Sequence, residues 1–326
     1  MELTMRHTTL GRTGLSVPVV GLGAAFIGVP DPSRAVDEYS GKPGQMNEDL
    51  GVATVVAAMD EGCTLIDTAA LYGRRISETI IGKALAERPA LRDDVIVTTK
   101  VGRLSEGQNY SYDAILRSVE ESQRLLGMER FEIVYIHDAM DAPVEDVMGD
   151  RGALGALRKL QDEGVVGHVG SAMNDPVTNA DYIETGEFDA AVVPDAWSLL
   201  NQLALARILP AVEKHDVGVV VATPLERGLL ATGPMPGIDY LARRFSQRCL
   251  DHVTKIQNVC RDHGVSMASA ALQWCVRDPR VATTIPGART PDEAISNLRA
   301  GSEEISDALW DDLAPLVTHF EHGVDR

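Results

Sequence analysis

Cysteine is scarce in this chain. The four, Cys63, Cys249, Cys260 and Cys275, form no C-x-x-C pair and have no zinc-type histidine spacing beside them. That excludes a disulfide scaffold and gives no metal site, and it points to a reducing compartment. No apolar run approaches the roughly 20 residues that span a bilayer. The opening stretch, Met1 to His7, carries no apolar core of the secretory type, so no signal peptide and a cytoplasmic location are expected. Positive charge is also in deficit: 30 Lys and Arg stand against 48 Asp and Glu, a formal net charge of −18. A polyanion is repelled by nucleic acid and by anionic membranes, which leaves small molecules as the expected partners. There is no low-complexity segment and no Ser/Gly linker, so residues 1–326 are expected to form one domain. Nothing in these features sets the oligomeric state.

What is present is ordinary globular material, 44% hydrophobic and 24% charged. Short β-branched runs alternate with longer helix-like segments. Runs beginning at Val17, Thr64, Val95, Phe131, Val165, Ala190, Val217 and Val281 are apolar at consecutive positions, as parallel strands buried on both faces are. Helical stretches are expected at 48–61, 76–87, 112–126, 154–161, 177–184, 203–214, 251–263 and 266–277, then from about Pro291, with a last one near 306–316. Eight β-then-α units of this size predict an α/β fold, a closed (β/α)8 TIM barrel, with an open doubly wound sheet as the rival. The rival has one apparent fingerprint, Gly21-Leu22-Gly23-Ala24-Ala25-Phe26. Phe26 stands where the third glycine belongs, and Pro30 and Pro32 follow where a helix should begin, so the dinucleotide reading fails.

In a barrel, chemistry collects at the C-terminal ends of the strands. Asp67 follows Leu65-Ile66, with Tyr72 five residues on; Lys100 ends Val97-Thr98-Thr99; His137 ends Val134-Tyr135-Ile136. Each alone has a structural reading: a helix-capping Asp, a satisfied His, a snorkelling Lys. Together an acid, a phenol, an ammonium and an imidazole converge on one mouth. A nearby ammonium is expected to lower the phenol's pKa, and a carboxylate to hold the ammonium. Tyr72 then exchanges a proton with a carbonyl or hydroxyl, and His137 orients the oxygen. With no nucleophile or metal cluster in the pattern, hydride transfer is the reaction that such proton exchange accompanies.

These residues resemble the aldo-keto reductase family along nearly the whole chain. Leu10-Gly11-Arg12-Thr13-Gly14-Leu15 with Val20-Gly21-Leu22-Gly23 is similar to its opening hairpin and first strand. Ile66-Asp67-Thr68-Ala69 through Tyr72-Gly73, Ser77-Glu78 and Ile81-Gly82 resemble its signature. The resemblance implies a barrel closed below by an N-terminal β-hairpin, with extra helices, and the tetrad Asp67, Tyr72, Lys100 and His137. It also implies a nicotinamide cofactor bound without a Rossmann unit. Gly23, Thr223, Leu225 and Arg227 would lie along it, with Ser171 and Asn174 on its carboxamide and Arg289, Glu293 and Asn297 on the adenosine side. Many relatives place Lys at Gly287 and Arg at Glu293 to hold a 2′-phosphate. Glu293 would repel that phosphate and accept from ribose hydroxyls instead, which favours NAD, while Arg289 leaves NADP open.

Relatives often stack a tyrosine on the nicotinamide where this chain has Ala222, and Trp197 is expected either to supply that face or to pack the barrel rim. Phe26, Tyr39 and Trp197 are the expected lining of the substrate pocket, in the long first loop (24–45) and beyond. Gly170-x-x-x-Asn174, Phe188-Asp189-Ala190 and Trp197-Ser198-Leu199-Leu200 resemble the aldose 1-dehydrogenase branch, close to pyridoxal 4-dehydrogenases. The resemblance thus implies oxidation of a lactol to a lactone. NADPH-linked carbonyl reduction and a cofactor-sensing subunit are the alternatives.

Overall fold

The computed structural model of the protein describes residues 5–30, 46–236, 238, 240–241 and 243–321. Tyr39 lies outside the described residues. The strands are β1 (His7–Thr9), β2 (Ser16–Pro18), β3 (Leu22–Gly23), β4 (Leu65–Asp67), β5 (Ile96–Val101), β6 (Arg103–Leu104), β7 (Gly107–Gln108), β8 (Phe131–His137), β9 (Val166–Ala172), β10 (Ala190–Pro194), β11 (Gly218–Ala222) and β12 (Val281–Ile285). Between them run α1 (Glu48–Asp60), α2 (Ile76–Glu87), α3 (Tyr112–Leu126), α4 (Val144–Met148), α5 (Ala153–Asp162), α6 (Pro176–Glu184), α7 (Ile208–His215), α8 (Leu229–Thr232), α9 (Gln247–Asp262), α10 (Met267–Cys275), α11 (Pro291–Ala300) and α12 (Asp307–Leu313).

Eight strands form one parallel sheet in the order β3-β4-β5-β8-β9-β10-β11-β12. Its two edges meet: Val20 bridges Thr284 and Gly23 bridges Gly287, both in parallel sense. The seam is hydrogen-bonded from Gly21 N to Thr284 O (2.8 Å) and from Gly23 N to Pro286 O (3.0 Å). A Cβ at Gly23 would lie 2.6 Å from the Ile285 carbonyl oxygen, so the first and last strands come this close only because that side chain is missing. The sheet is therefore the predicted (β/α)8 barrel, and the doubly wound rival is excluded.

The barrel interior is filled by inward-facing residues including Leu65, Ile133, Tyr135, Ala172, Val192, Val220 and Ile285. The antiparallel β1–β2 hairpin plugs it from below, with Leu10 and Val17 fully buried in the same cluster. Arg12 fastens the plug: its guanidinium donates to the Asp189 carboxylate and to the carbonyls of Gly186, Phe188 and His215.

Three details differ from the sequence reading. The apolar run that begins at Val17 is shared between two elements, ending the hairpin at Pro18 and entering the barrel at Leu22. The single helix expected over 203–214 is a 3-10 turn, Leu203–Leu205, followed by α7. Pro210 accounts for this break, since its ring would clash with the Ala206 carbonyl if the helix began earlier. The β6–β7 hairpin and the short α4 and α8 were not expected from periodicity, because elements of two to five residues carry too little of it.

Candidate active site

Asp67 and His137 end their strands, Lys100 is the penultimate residue of β5, and Tyr72 follows β4 in a turn that leads into α2. All four sit at the C-terminal mouth. Lys100 is 1% exposed, yet its ammonium is fully used: it donates to the Asp67 carboxylate at 2.5 Å, the Thr68 carbonyl at 2.8 Å and the Tyr72 hydroxyl at 3.2 Å. Thr98 donates its hydroxyl to the other Asp67 oxygen at 2.9 Å, which fixes the carboxylate in turn. The His137 ring meets the Tyr72 ring edge to face, with centroids 6.0 Å apart. The four residues that the sequence singled out are one connected group.

The turn that carries Tyr72 is anchored from behind. Ser77 is hydrogen-bonded to Thr68 at 2.7 Å and donates to the Ala24 carbonyl. Glu78, fully buried, accepts from Arg75, Thr99 and Ser122, tying α2 to β5 and α3. The signature residues beyond the tetrad thus hold the tetrad in register.

The electrostatics depart from expectation in one respect. Tyr72 was expected to be acidified by Lys100, but its pKa lies well above the ordinary phenol value. Removal from water is the main cause, and the Asp67 and Asp138 carboxylates add to it. Burial also pulls Lys100 below an amine's ordinary value, against the opposing charge of Asp67. His137 is held well below the ordinary histidine value by burial and by the Lys100 charge, so its imidazole is neutral. At neutral pH the mouth therefore presents a protonated phenol and a neutral imidazole.

Asp138 was not foreseen. It follows His137 in the left-handed region (φ 48°) and is 5% exposed. Its carboxylate accepts from Asn174 twice, from the backbone N–H and from Nδ2, both at 3.0 Å. Tyr110 secures the corner by donating its hydroxyl to the carbonyls of His137 (2.7 Å) and Asp138 (2.8 Å). The Tyr110 ring fills the space where a Gly102 side chain would be, 2.2 Å from the ideal Cβ, and Gly102 itself is at φ +93°. The Asp after a strand-ending His was the only signal, and it is weak alone.

The cofactor residues fall into three groups. Asn174 is at the mouth, on Asp138. Ser171 is not: fully buried, it donates outward to Asn179 of α6 at 2.9 Å, because alternation along β9 turns it away when Ala172 faces inward. Its expected carboxamide contact is withdrawn.

The loop after β11 carries Thr223 (φ 58°), Leu225, Glu226 (φ 47°) and Arg227 (φ 57°), a cluster of left-handed backbone that needs firm support. Glu226 supplies it from beneath, accepting from Ser198 and, at 3.2 Å, from Arg243. Arg243 also grips Asp195 in a two-bond fork, at 3.0 and 2.8 Å. Arg227 approaches Asp195 at 3.6 Å and donates to the Leu241 carbonyl; burial, with help from Arg243, lowers its pKa to about 10, which leaves it charged.

On the adenosine side, Asn297 donates to the Gly287 carbonyl at 3.1 Å. Glu293 is engaged by Arg289: its two oxygens take the Arg289 backbone N–H at 2.8 Å and the Arg289 guanidinium. Thr290 caps α11, its hydroxyl accepting from Glu293 N, while the Glu293 carboxylate reaches back one residue further, to Arg289.

Of the expected pocket residues, Phe26 packs with Val29, Met46, Ile76 and Leu241 on the rim beside the Tyr72 turn. Trp197 is 6% exposed, stacks on Trp274 at 4.8 Å and donates its indole N–H to the Cys275 carbonyl. It packs the rim against α10 and is not a pocket wall. Ala222 offers no aromatic face.

The mouth fits a nicotinamide dinucleotide in its donor set. His137 Nδ1 is buried without a hydrogen-bond partner among the described residues, which leaves Nε2 as the nitrogen that faces Asp138 and a bound oxygen. The Gly287 position is open space, with nothing near its absent side chain.

Residues 37–317 match the model of the Aldo/keto reductase family. The chain belongs to that family. Among aldo/keto reductase relatives, it is 29% identical to a D-threo-aldose 1-dehydrogenase of Pseudomonas sp, covering 92% of this chain and 94% of that one. It is 26% identical to a pyridoxal 4-dehydrogenase of Microbacterium luteolum, with the same two coverages. An aldo-keto reductase of Bacillus halodurans in its holo form has the same fold, with a TM-score of 0.78 over 99% of this chain and all of that one, at 23% identity. The protein is thus an aldo/keto reductase family oxidoreductase, and this family works with NAD(P)H on small molecules. Among the described residues, no helix is long and apolar enough to cross a membrane, and no His, Cys, Asp or Glu cluster forms a metal site.

Proposed function

We propose that this oxidoreductase is an NAD-linked dehydrogenase that oxidises the hemiacetal carbon of a sugar or similar lactol to a lactone. The observation that carries the reading is the chain of contacts Thr98–Asp67–Lys100–Tyr72, which aims one charged donor at one phenol beside a neutral imidazole. In oxidation Tyr72, once its own proton has left to solvent, takes the proton of the anomeric hydroxyl on its phenolate Oη as that carbon gives up a hydride. His137 donates one ring N–H to the same oxygen and sets its angle. Lys100 stabilises negative charge on Tyr72, and Asp67 keeps Lys100 from turning away. When bound, the oxidised nicotinamide supplies the hydride acceptor. Asn174, Thr223, Leu225, Arg227 and Asn297 are the residues proposed to line it. The two dehydrogenase relatives support the substrate class.

NAD is favoured on charge. Arg289 is the only basic residue from Pro286 to Asn297, and Glu293 already neutralises it. Carbonyl reduction is the second reading, favoured by the raised Tyr72 pKa, because a phenol that keeps its proton is a proton donor. The deciding assay follows the absorbance of reduced nicotinamide over free aldoses and pyridoxal with NAD and NADP, and over aldehydes with NADH and NADPH. Aldose-dependent NAD reduction supports the proposal; NADPH-linked carbonyl reduction alone overturns it.

A further inference from the structure

Asp138 is a buried carboxylate with no lysine or arginine in direct contact among the described residues; burial raises its pKa, while the Asn174 hydrogen bonds and the nearby charges of Arg103 and Lys100 favour its ionised form. Both of its oxygens accept from one residue, Asn174, which grips them like a fork. The backbone beneath is held as firmly, since Asp138 N donates to the Ala172 carbonyl at 2.9 Å and its carbonyl accepts from Tyr110 and Gln108. So rigid a corner, in a left-handed conformation that costs a non-glycine residue energy, aims the carboxylate in one direction. It stands beside the imidazole of the tetrad: Oδ2 lies 3.8 Å from His137 Nε2.

A gap of 3.8 Å is too long for a hydrogen bond between the two. It is the span over which two adjacent substrate oxygens, or one shared hydroxyl, are each held at about 2.8 Å. The two sides differ in what they accept. A neutral imidazole N–H donates to any oxygen, whereas a carboxylate accepts only from an oxygen that bears a proton. A simple aldehyde has no such second group, and its carbonyl lone pairs would face the carboxylate.

We propose that Asp138, aimed by Asn174, is the specificity-determining residue that accepts a hydrogen bond from the substrate hydroxyl on the carbon next to the reacting one. The substrate class is then the α-hydroxy carbonyl compound or its lactol, as opposed to the plain aldehyde or ketone. This rests on the reading that the mouth oxidises or reduces an oxygen-bearing carbon, and it holds in either direction.

The test is kcat/KM on pairs that differ only in that hydroxyl. One pair is an aldose and its 2-deoxy counterpart with NAD; the other is lactaldehyde and propanal with NADH. The wild type favours the hydroxylated member by roughly 10- to 100-fold, the size expected of one hydrogen bond to a charged acceptor. In Asp138→Ala the ratio falls to near one. In Asn174→Ala, which keeps the charge and releases the fork, it falls part of the way, and this variant decides the matter should Asp138→Ala not fold. An equal loss on both members of each pair, or a wild type indifferent to the hydroxyl, overturns the proposal. A wild type that oxidises no aldose yet prefers lactaldehyde overturns the dehydrogenase reading and upholds this one. Turnover of neither pair overturns both.

Discussion

Lys100 Nζ donates to Tyr72 Oη over 3.2 Å, joining residues 28 positions apart in sequence. The contact exists because β5 pairs with β4 in a register that sets Asp67 opposite Thr98. Lys100, two residues on, is thereby brought over the turn that carries Tyr72. Tyr72→Phe removes the hydroxyl and keeps the ring. Turnover should fall by about 10²–10⁴-fold, the usual scale of general acid–base catalysis. Cofactor affinity, read from quenching of tryptophan fluorescence, should stay within about twofold. A Phe variant with ordinary turnover would remove Tyr72 from the mechanism.

The Asp67–Lys100 pair is nearly closed to water, with side chains 5% and 2% exposed. Removing one partner leaves the other as an uncompensated buried charge, which typically destabilises by about 3–5 kcal/mol. Lys100→Met and Asp67→Asn should each lower the midpoint of denaturant unfolding. The double variant should lose less than the two single losses summed, because it leaves no lone charge. Strict additivity would mean that the pair is not coupled.

The pH profile separates the two directions of reaction. With the Tyr72 pKa raised, the phenol keeps its proton through neutral pH, so reduction should be level there and fall only in alkali. Oxidation needs the phenolate and should rise with pH, about tenfold per unit where Tyr72 alone limits the rate. His137, with its pKa depressed, stays neutral and should add no inflection near 6.5. An oxidation rate that declines with rising pH contradicts the direction of the Tyr72 shift.

The proposed preference for NAD rests on Glu293 occupying Arg289. Glu293→Gln keeps a hydrogen-bonding side chain at the third position of α11 and removes the charge. The freed guanidinium should raise kcat/KM for NADP relative to NAD by about tenfold, equivalent to ~1.4 kcal/mol. No change in the ratio would show that the 2′-phosphate position lies elsewhere.

Much of the molecule was legible in its sequence because the signals were local. Runs such as Gly218–Ala222, apolar at consecutive positions, read as strands covered on both faces, and eight such runs alternating with helices specify a barrel. Asp67, Lys100 and His137 were found because strand ends in this fold point to one mouth, and Tyr72 because it sits in a motif at fixed spacing. Ser171 failed because a strand's side chains alternate every residue, and a one-residue error turns a contact into a helix-facing core position. Trp197 stayed open between pocket and rim for a related reason: an aromatic in a rim loop has two surfaces to choose between, and Trp274 and Cys275, 77 and 78 residues away, decided for the rim.

The sequence by itself pointed to the barrel, the family and the four tetrad residues, since strand runs, strand ends and motif spacings are each written locally in the chain. Only the tertiary structure decided their state. Whether Tyr72 is acidified depends on the burial and charge around its hydroxyl: burial raises its pKa most, and Asp67 and Asp138, the latter 66 residues distant in the chain, add to it. Asn174, Glu226 and Arg243 likewise gain their roles through partners on other strands and loops. Electrostatic energy follows distance in space, and a linear chain does not record that distance.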